Sequence, residues 1–305
     1  MSSRADQYLL TLARSLDAAG DSRALAVLEL AASRETGGAE ALALKGDLLR
    51  GRGELRQAAD VYDLLARRYP DQGRARYLAA LLCGTKPRIP ASRPAPWPSP
   101  FVRIENFLSL ARHREVMNLV STGTDRFTPS TVGMMGVNGR EPRVDLNYRA
   151  SLRVCGTGPV EQWLRPLIAR RLPAITTRLG LTPFTAATIE IKCTAYGDGH
   201  FFGAHSDSVY HPTRRVSFVY YFHRLPKPYS GGALVLYDGD ISDPIRFLHD
   251  SATRLEPLDN SLVWFPSGTY HEVTPVASPS GRLADARFTF AGHVHAATAL
   301  DTSPA

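Results

Sequence analysis

The chain has 305 residues, 44% hydrophobic and 21% charged, with a formal net charge of +7. At about 100 to 200 residues per domain this is a globular composition with room for roughly two domains. No apolar run approaches the ~18 residues of a membrane span, and the arginines are dispersed rather than gathered into a basic run with interleaved aromatics, so neither a membrane nor a nucleic acid is expected as partner. The start, MSSRADQYLLTLARSLDAAG, lacks the apolar core of a secretory signal, and a cytoplasmic protein is expected. Cys83, Cys155 and Cys193 are far apart and odd in number. They fit neither a disulfide framework nor a paired zinc site and read as reduced thiols.

Residues 1–84 read as helical. In ALALKGDLLRGRGELRQAADVYDLLARRYP, Leu44, Leu48 and Leu49 form one stripe and Ala58, Val61, Tyr62 and Leu65 another, with Gly53 at the break, which predicts a helical hairpin. Gly46, Ala58, Tyr62 and Pro70 give the hairpin a resemblance to a tetratricopeptide repeat. Shifting by 34 residues brings Ala24 and Leu28 into the places of Ala58 and Tyr62, and GRARYLAALLCG predicts a further helix closing on Gly84. A plain helical bundle is the alternative. Residues 85–100 hold six prolines; their missing donors and fixed φ exclude helix and central strand, so this is expected to be a linker.

From residue 101 to 296 a second domain is expected, with 297–305 as a tail. FVRIENFLSLARHREVMNLV predicts a short strand, a turn at Glu105 and Asn106, and an amphipathic helix. After residue 186, ATIEIKCTAY, RRVSFVYYF, ALVLYD, SLVWF and ARFTFAGHV are short β-branched and aromatic runs, which predict a sandwich or barrel-like core with the preceding helices outside. The fold class is therefore α+β.

The chemistry gathers around GHFFGAHSDSVYHP. His205 and Asp207 are two residues apart, so on extended backbone they point to one side and can converge on one ion. His271, in YHEVTPV just beyond SLVWFP, supplies a third ligand. Two histidines and a carboxylate that leave an octahedral face open suit a non-haem ferrous ion. Further along, Arg287 and Thr289 share one strand parity, and the arginine offers a planar fork for a carboxylate.

Through YGDGHFFGAHSD, RRVSFVYYF, SGGALVLYD, LVWFPSGTYHEVTPV and RFTFAGHV, spanning residues 196–294, the sequence resembles the Fe(II)/2-oxoglutarate-dependent oxygenases, specifically the prolyl 4-hydroxylase-like branch. The resemblance implies a double-stranded β-helix, or jelly roll. It implies Fe(II) held by His205, Asp207 and His271, and 2-oxoglutarate held at its distal carboxylate by Arg287 with Thr289 and Tyr196 in support. O2 would be the oxidant and ascorbate a reductant. The intact carboxylate at Asp207 favours hydroxylation over halogenation. Two departures stand out: Phe202 replaces a frequent tyrosine, and the insertion ASPSGRLADA lengthens the interval from His271 and makes Arg282 a rival to Arg287.

Substrate-side candidates are Arg149 with Asn147, one of Arg214 and Arg215 with Arg215 taken forward, and His211 at the rim. His200 reads as a neighbour, and GHVH, residues 292–295, as the end of a strand. The implied reaction is hydroxylation of an unactivated C–H bond, in a prolyl or other amino-acid residue of a peptide, protein or carrier-bound substrate gripped partly by the helical repeats. The same chemistry on a free small molecule, or an inactive metal-binding scaffold that uses its repeats to recruit partners, are the rivals.

Overall fold

A computed structural model describes residues 3–34, 36–85, 87, 96–121, 126–136, 139–240, 242–243 and 245–297. Most of the expected proline-rich linker and nearly all of the expected tail lie outside these residues. The chain divides into two compact units, Met1–Pro94 with Asp250–Arg254, and Ala95–His249 with Leu255–Ala305.

The first unit is built on five helices, α1 (Arg4–Ala18), α2 (Arg23–Ala32), α3 (Gly38–Arg52), α4 (Leu55–Arg68) and α5 (Gly73–Leu82), each packed on the next. Gly53 ends α3 at φ 85°, a left-handed value that glycine adopts without strain. The buried face of α3 is Ala41, Leu42, Gly46 and Leu49, while Leu44 and Leu48 of the expected stripe are only half-buried. Gly46 is small for a reason: a Cβ there would come within 2.6 Å of the Tyr62 ring. Ala24, Leu28, Ala58 and Tyr62, the positions related by 34 residues, are all fully buried.

The second unit contains, in chain order, β1 (Val102–Ile104), α6 (Leu110–Ser121), β2 (Phe127–Pro129), β3 (Val132–Gly136), β4 (Gly139–Arg143), β5 (Arg149–Ala150), β6 (Leu152–Val154), α7 (Gly158–Leu179), β7 (Ala186–Tyr196), β8 (Phe201–His205), β9 (Arg214–Phe222), β10 (Ser230–Gly231), β11 (Leu234–Gly239), the ends of β12 (Phe247–Leu255, whose Asp250–Arg254 group with the first unit), β13 (Ser261–Pro266), β14 (His271–Val273), β15 (Val276–Ala277) and β16 (Arg287–Ala296). Seven strands form a large sheet in the order β1-β13-β9-β16-β7-β6-β2, and five form a small sheet in the order β12-β11-β14-β8-β5. The strands pass between the sheets as in a jelly roll, which is the expected double-stranded β-helix.

Strand periodicity separates the two faces of the large sheet. Ile189, Ile191, Cys193 and Ala195 of β7, Val216, Phe218, Tyr220 and Phe222 of β9, and Phe288, Phe290 and Val294 of β16 pack with α6 and α7 in one apolar core. Helix α7 buries Val160, Leu164, Ile168, Leu172, Ile175 and Leu179 there, a stripe at helical spacing. Residues of opposite parity, including Thr194 and Tyr196, Ser217 and Val219, and Arg287, Thr289 and His293, line a cavity on the other face.

Candidate active site

The small sheet brings the three ligand candidates together. His205 ends β8 and His271 begins β14, and the two strands pair antiparallel with these histidines directly opposite. Asp207 follows two residues after His205, in a turn clamped by the Ser267 carbonyl, which accepts from the backbone N–H groups of Asp207 at 3.1 Å and Ser208 at 3.2 Å. One nitrogen or oxygen from each of His205, Asp207 and His271 lies within 4.8 Å of the others. Among the described residues this is the one such group of three or more potential metal ligands.

The imidazoles are set for coordination. His205 Nδ1 stands 2.8 Å from the Gly203 carbonyl and His271 Nδ1 2.9 Å from that of Thr269. A carbonyl only accepts, so each Nδ1 carries the proton and each Nε2 keeps its lone pair. Both Nε2 atoms lie 3.6 Å from the Asp207 carboxylate. Burial lowers His271 to about 4, which keeps it neutral and able to ligate. Burial alone would raise the Asp207 carboxyl, but His293, His271 and His205 around it hold it well below the ordinary value. Two imidazoles and one carboxylate fit a ferrous ion.

Arg287 stands at the start of β16, 1% exposed, with its guanidinium carbon 4.8 Å from the Tyr196 ring centre and 4.9 Å from that of Tyr221. Its Nε has no hydrogen-bond partner among the described residues. A buried guanidinium N–H left without an acceptor is costly, and a carboxylate ligand would satisfy it. Gly232 makes the space: at φ 66°, a Cβ there would meet Arg287 Cδ at 2.6 Å. Thr289 and Tyr196 line the same cavity, and Tyr196 is the register partner of Arg287. Buried cation, hydroxyls and triad on one cavity wall fit a 2-oxoacid dicarboxylate beside the metal. Arg282, the rival, is 67% exposed and directed at Asp285, and it is not part of the cavity wall.

The cavity encloses about 760 Å³ and is also lined by Arg149, Lys192, His211 and Arg214. Arg149 lies over Phe202 at 4.4 Å and donates through Nε to Ser151 Oγ at 2.9 Å. Phe202 in turn stacks on His205 at 3.8 Å, so the ring that replaces a tyrosine packs against a ligand. Arg215 needs correction: Arg214 lines the cavity and Arg215 does not. In the pairing of β9 with β16, Val216 faces Val294 but Arg214 faces His295. The intervening residue is a β-bulge that reverses the parity and turns Arg214 to the cavity face. Asn147 and His200 also lie off the cavity wall.

Three contributors were not read as functional from sequence. Ser217 donates to Asp207 Oδ2 at 2.7 Å, Ser267 clamps the ligand turn, and His293 Nδ1 lies 3.6 Å from Asp207 Oδ2. The strand parity of β9 and β16, which places Ser217 with Val219 and His293 with Arg287, was the available signal.

The family model of the 2OG-Fe(II) oxygenase superfamily matches residues 191–295. An uncharacterized PKHD-type hydroxylase from Synechocystis sp. is 29% identical over 199 residues, which cover 65% of this chain and 63% of that protein. Among solved structures, a Pseudomonas putida prolyl-4-hydroxylase is similar with 23% identity and a TM-score of 0.46 over 65% of this chain and 93% of that one. A Trichoplax adhaerens prolyl hydroxylase in complex with a hypoxia inducible factor oxygen degradation domain peptide fragment shows 18% identity and a TM-score of 0.47 over 64% and 83%. No described helix is long and apolar enough to cross a membrane. The region from residue 191 to 295 is thus similar to the 2OG-Fe(II) oxygenase superfamily and keeps a His-x-Asp and a distal His that could hold a metal, and Fe(II) and 2-oxoglutarate are the groups that this similarity implies.

Proposed function

We propose that this protein is an Fe(II)- and 2-oxoglutarate-dependent hydroxylase acting on a C–H bond of a prolyl or other amino-acid residue in a peptide, protein or carrier-bound substrate. The observation that carries the reading is one cavity wall that holds both a three-point metal site, His205, Asp207 and His271, and a buried guanidinium, Arg287, whose Nε has no hydrogen-bond partner among the described residues. Bound together, Fe(II) and 2-oxoglutarate supply oxygen activation, with one atom of O2 delivered to the substrate and the other to succinate as carbon dioxide leaves.

The chain's own part is to bind, orient and exclude water. His205 and His271 present fixed lone pairs. Arg287, backed by Tyr196 and Thr289, holds the far carboxylate and so sets which end of the co-substrate faces the metal. Phe202, Leu234, Val219 and Phe265 make the surrounding wall apolar. At the mouth, Val209, Tyr210 and Ile245 line the same cavity yet are exposed, which suits a substrate that extends beyond the pocket. The helices of the first unit, with their 34-residue correspondence, support a reading as tetratricopeptide-like repeats that hold such a partner.

The test supplies ferrous iron, labelled 2-oxoglutarate and ascorbate with a panel of proline-containing and other peptides, and follows succinate and peptide mass. Wild-type protein should form succinate coupled to a mass gain of one oxygen, and His205→Ala should not. Succinate no higher than in that variant across the panel would reject the reading.

A further inference from the structure

We infer that Ser217, saturated from behind by Ser267 and His293, is a positioning residue that locks the Asp207 carboxylate through Oδ2 and leaves Oδ1 to the metal. The inference rests on the metal-site reading above. Ser217 Oγ has three polar neighbours, Asp207 Oδ2 at 2.7 Å, Ser267 Oγ at 2.9 Å and His293 Nδ1 at 3.2 Å. A hydroxyl has one proton and two lone pairs. An ionised carboxylate can only accept, so the Ser217 proton goes to Asp207. The two lone pairs then accept, one from the Ser267 hydroxyl and one from a protonated His293 Nδ1. All hydrogen-bonding capacity of Ser217 is thereby used, and every donor runs toward the carboxylate.

The three groups come from separate elements, which makes the arrangement a built one. Ser217 is on β9, Ser267 follows β13, and His293 is on β16. Ser217 is 1% exposed and Ser267 fully buried, so water does not compete for these bonds. Ser267 serves twice: its carbonyl also accepts from the backbone N–H groups of Asp207 and Ser208, and so fixes the backbone of the same ligand whose side chain its hydroxyl steadies. His205 Nε2 stands 3.6 Å from Oδ1 of Asp207 and His271 Nε2 3.6 Å from Oδ2; because Oδ2 is the oxygen that Ser217 engages, Oδ1 is the one this network leaves for the ion. A carboxylate anchored at one oxygen would be held against reorienting and would offer its other oxygen to a bound ion.

The readout is metal binding by the metal-free full-length protein, without 2-oxoglutarate and without turnover, by titrating Mn(II) and following the free-ion EPR signal. Ser217→Ala should weaken Mn(II) binding by about 10- to 100-fold, the range found when a partner of a metal ligand is removed, and Ser217→Thr should restore it. His293→Phe should weaken binding less, and His293→Gln, which can still donate to Ser217, should recover it. Wild-type affinity in a Ser217→Ala protein of unchanged melting temperature would overturn the inference. Should Ser217→Ala fail to fold, equal affinities of His293→Phe, His293→Gln and wild type would overturn it equally. Absence of Mn(II) binding in the wild type defeats the metal-site reading itself, whereas tight wild-type binding with no succinate formed defeats only the proposed hydroxylase.

Discussion

The two sheets of the jelly roll divide the labour at the site. The small sheet delivers the histidine ligands from the ends of short strands, β8 and β14, which pair with His205 opposite His271. The large sheet delivers Arg287, Thr289, Ser217 and His293 from the inner face of long strands whose outer face is packed against α6 and α7. Ligands at strand ends can be brought together by one local pairing. A carboxylate clamp placed by strand parity depends on the register of the whole sheet, so the two halves of the site should fail in different ways.

The largest effect expected from breaking this division is at the small sheet. Asp207→Ala or His271→Ala should cost at least about 100-fold in metal affinity, more than loss of a supporting contact does, and abolish turnover; Mn(II) titration and succinate formation check both. On the large sheet, Arg287→Ala should weaken 2-oxoglutarate by about 100-fold, within the few kcal/mol typical of truncating a buried charge pair, while Mn(II) affinity stays near wild type. Arg282→Ala should change neither, and an effect of Arg282→Ala equal to that of Arg287→Ala would reassign the clamp.

A smaller and sharper effect is expected at Gly232. With φ at 66° and a Cβ contact of 2.6 Å to Arg287 Cδ, Gly232→Ala should lower stability by about 1–3 kcal/mol from strain and overpacking. It should also raise the 2-oxoglutarate Kd more than the metal Kd, as calorimetric titration with each would show.

The smallest effect is a pH dependence. His271 and His293 are both depressed from 6.5 to about 4, in each case with burial as the leading cause. Between these values the unfolded chain binds more protons than the folded one, so stability rises with pH across this window and levels off above it. Melting temperatures of metal-free protein should therefore fall as pH drops from 6.5 toward 4, and His293→Phe should flatten part of that slope.

What was legible in the sequence follows the same line. His205 and Asp207 could be paired because two residues on extended backbone share a side, and His271 because it follows a strongly apolar strand. A sandwich or barrel-like core was readable from short strands punctuated by glycine and proline, whereas the jelly roll itself was implied by the family resemblance. Arg215 was misplaced because the bulge beside it is visible only in strand pairing, and GHVH was read as the end of a strand because nothing local shows that His293 lies opposite Asp207. Helix α7 was equally hidden: Pro166 and Pro173 lie inside it, and proline ordinarily signals a break. In the first unit the glycine break was clear, whereas the buried face of α3 runs through Ala41, Leu42, Gly46 and Leu49 and leaves Leu44 and Leu48 half-buried.

The bulge in β9 also bears on how such a mouth can change over time. Because a single unpaired residue decides whether Arg214 or Arg215 looks inward, sliding that irregularity by one position would exchange the cationic group on the cavity wall. The rim and the reaction centre are nevertheless tied together in this strand, since Arg214 donates to the Asp207 carbonyl at 3.4 Å and the Arg215 carbonyl accepts from the Ser267 N–H at 3.1 Å, so a change of cation at the mouth is felt by the turn that carries the carboxylate.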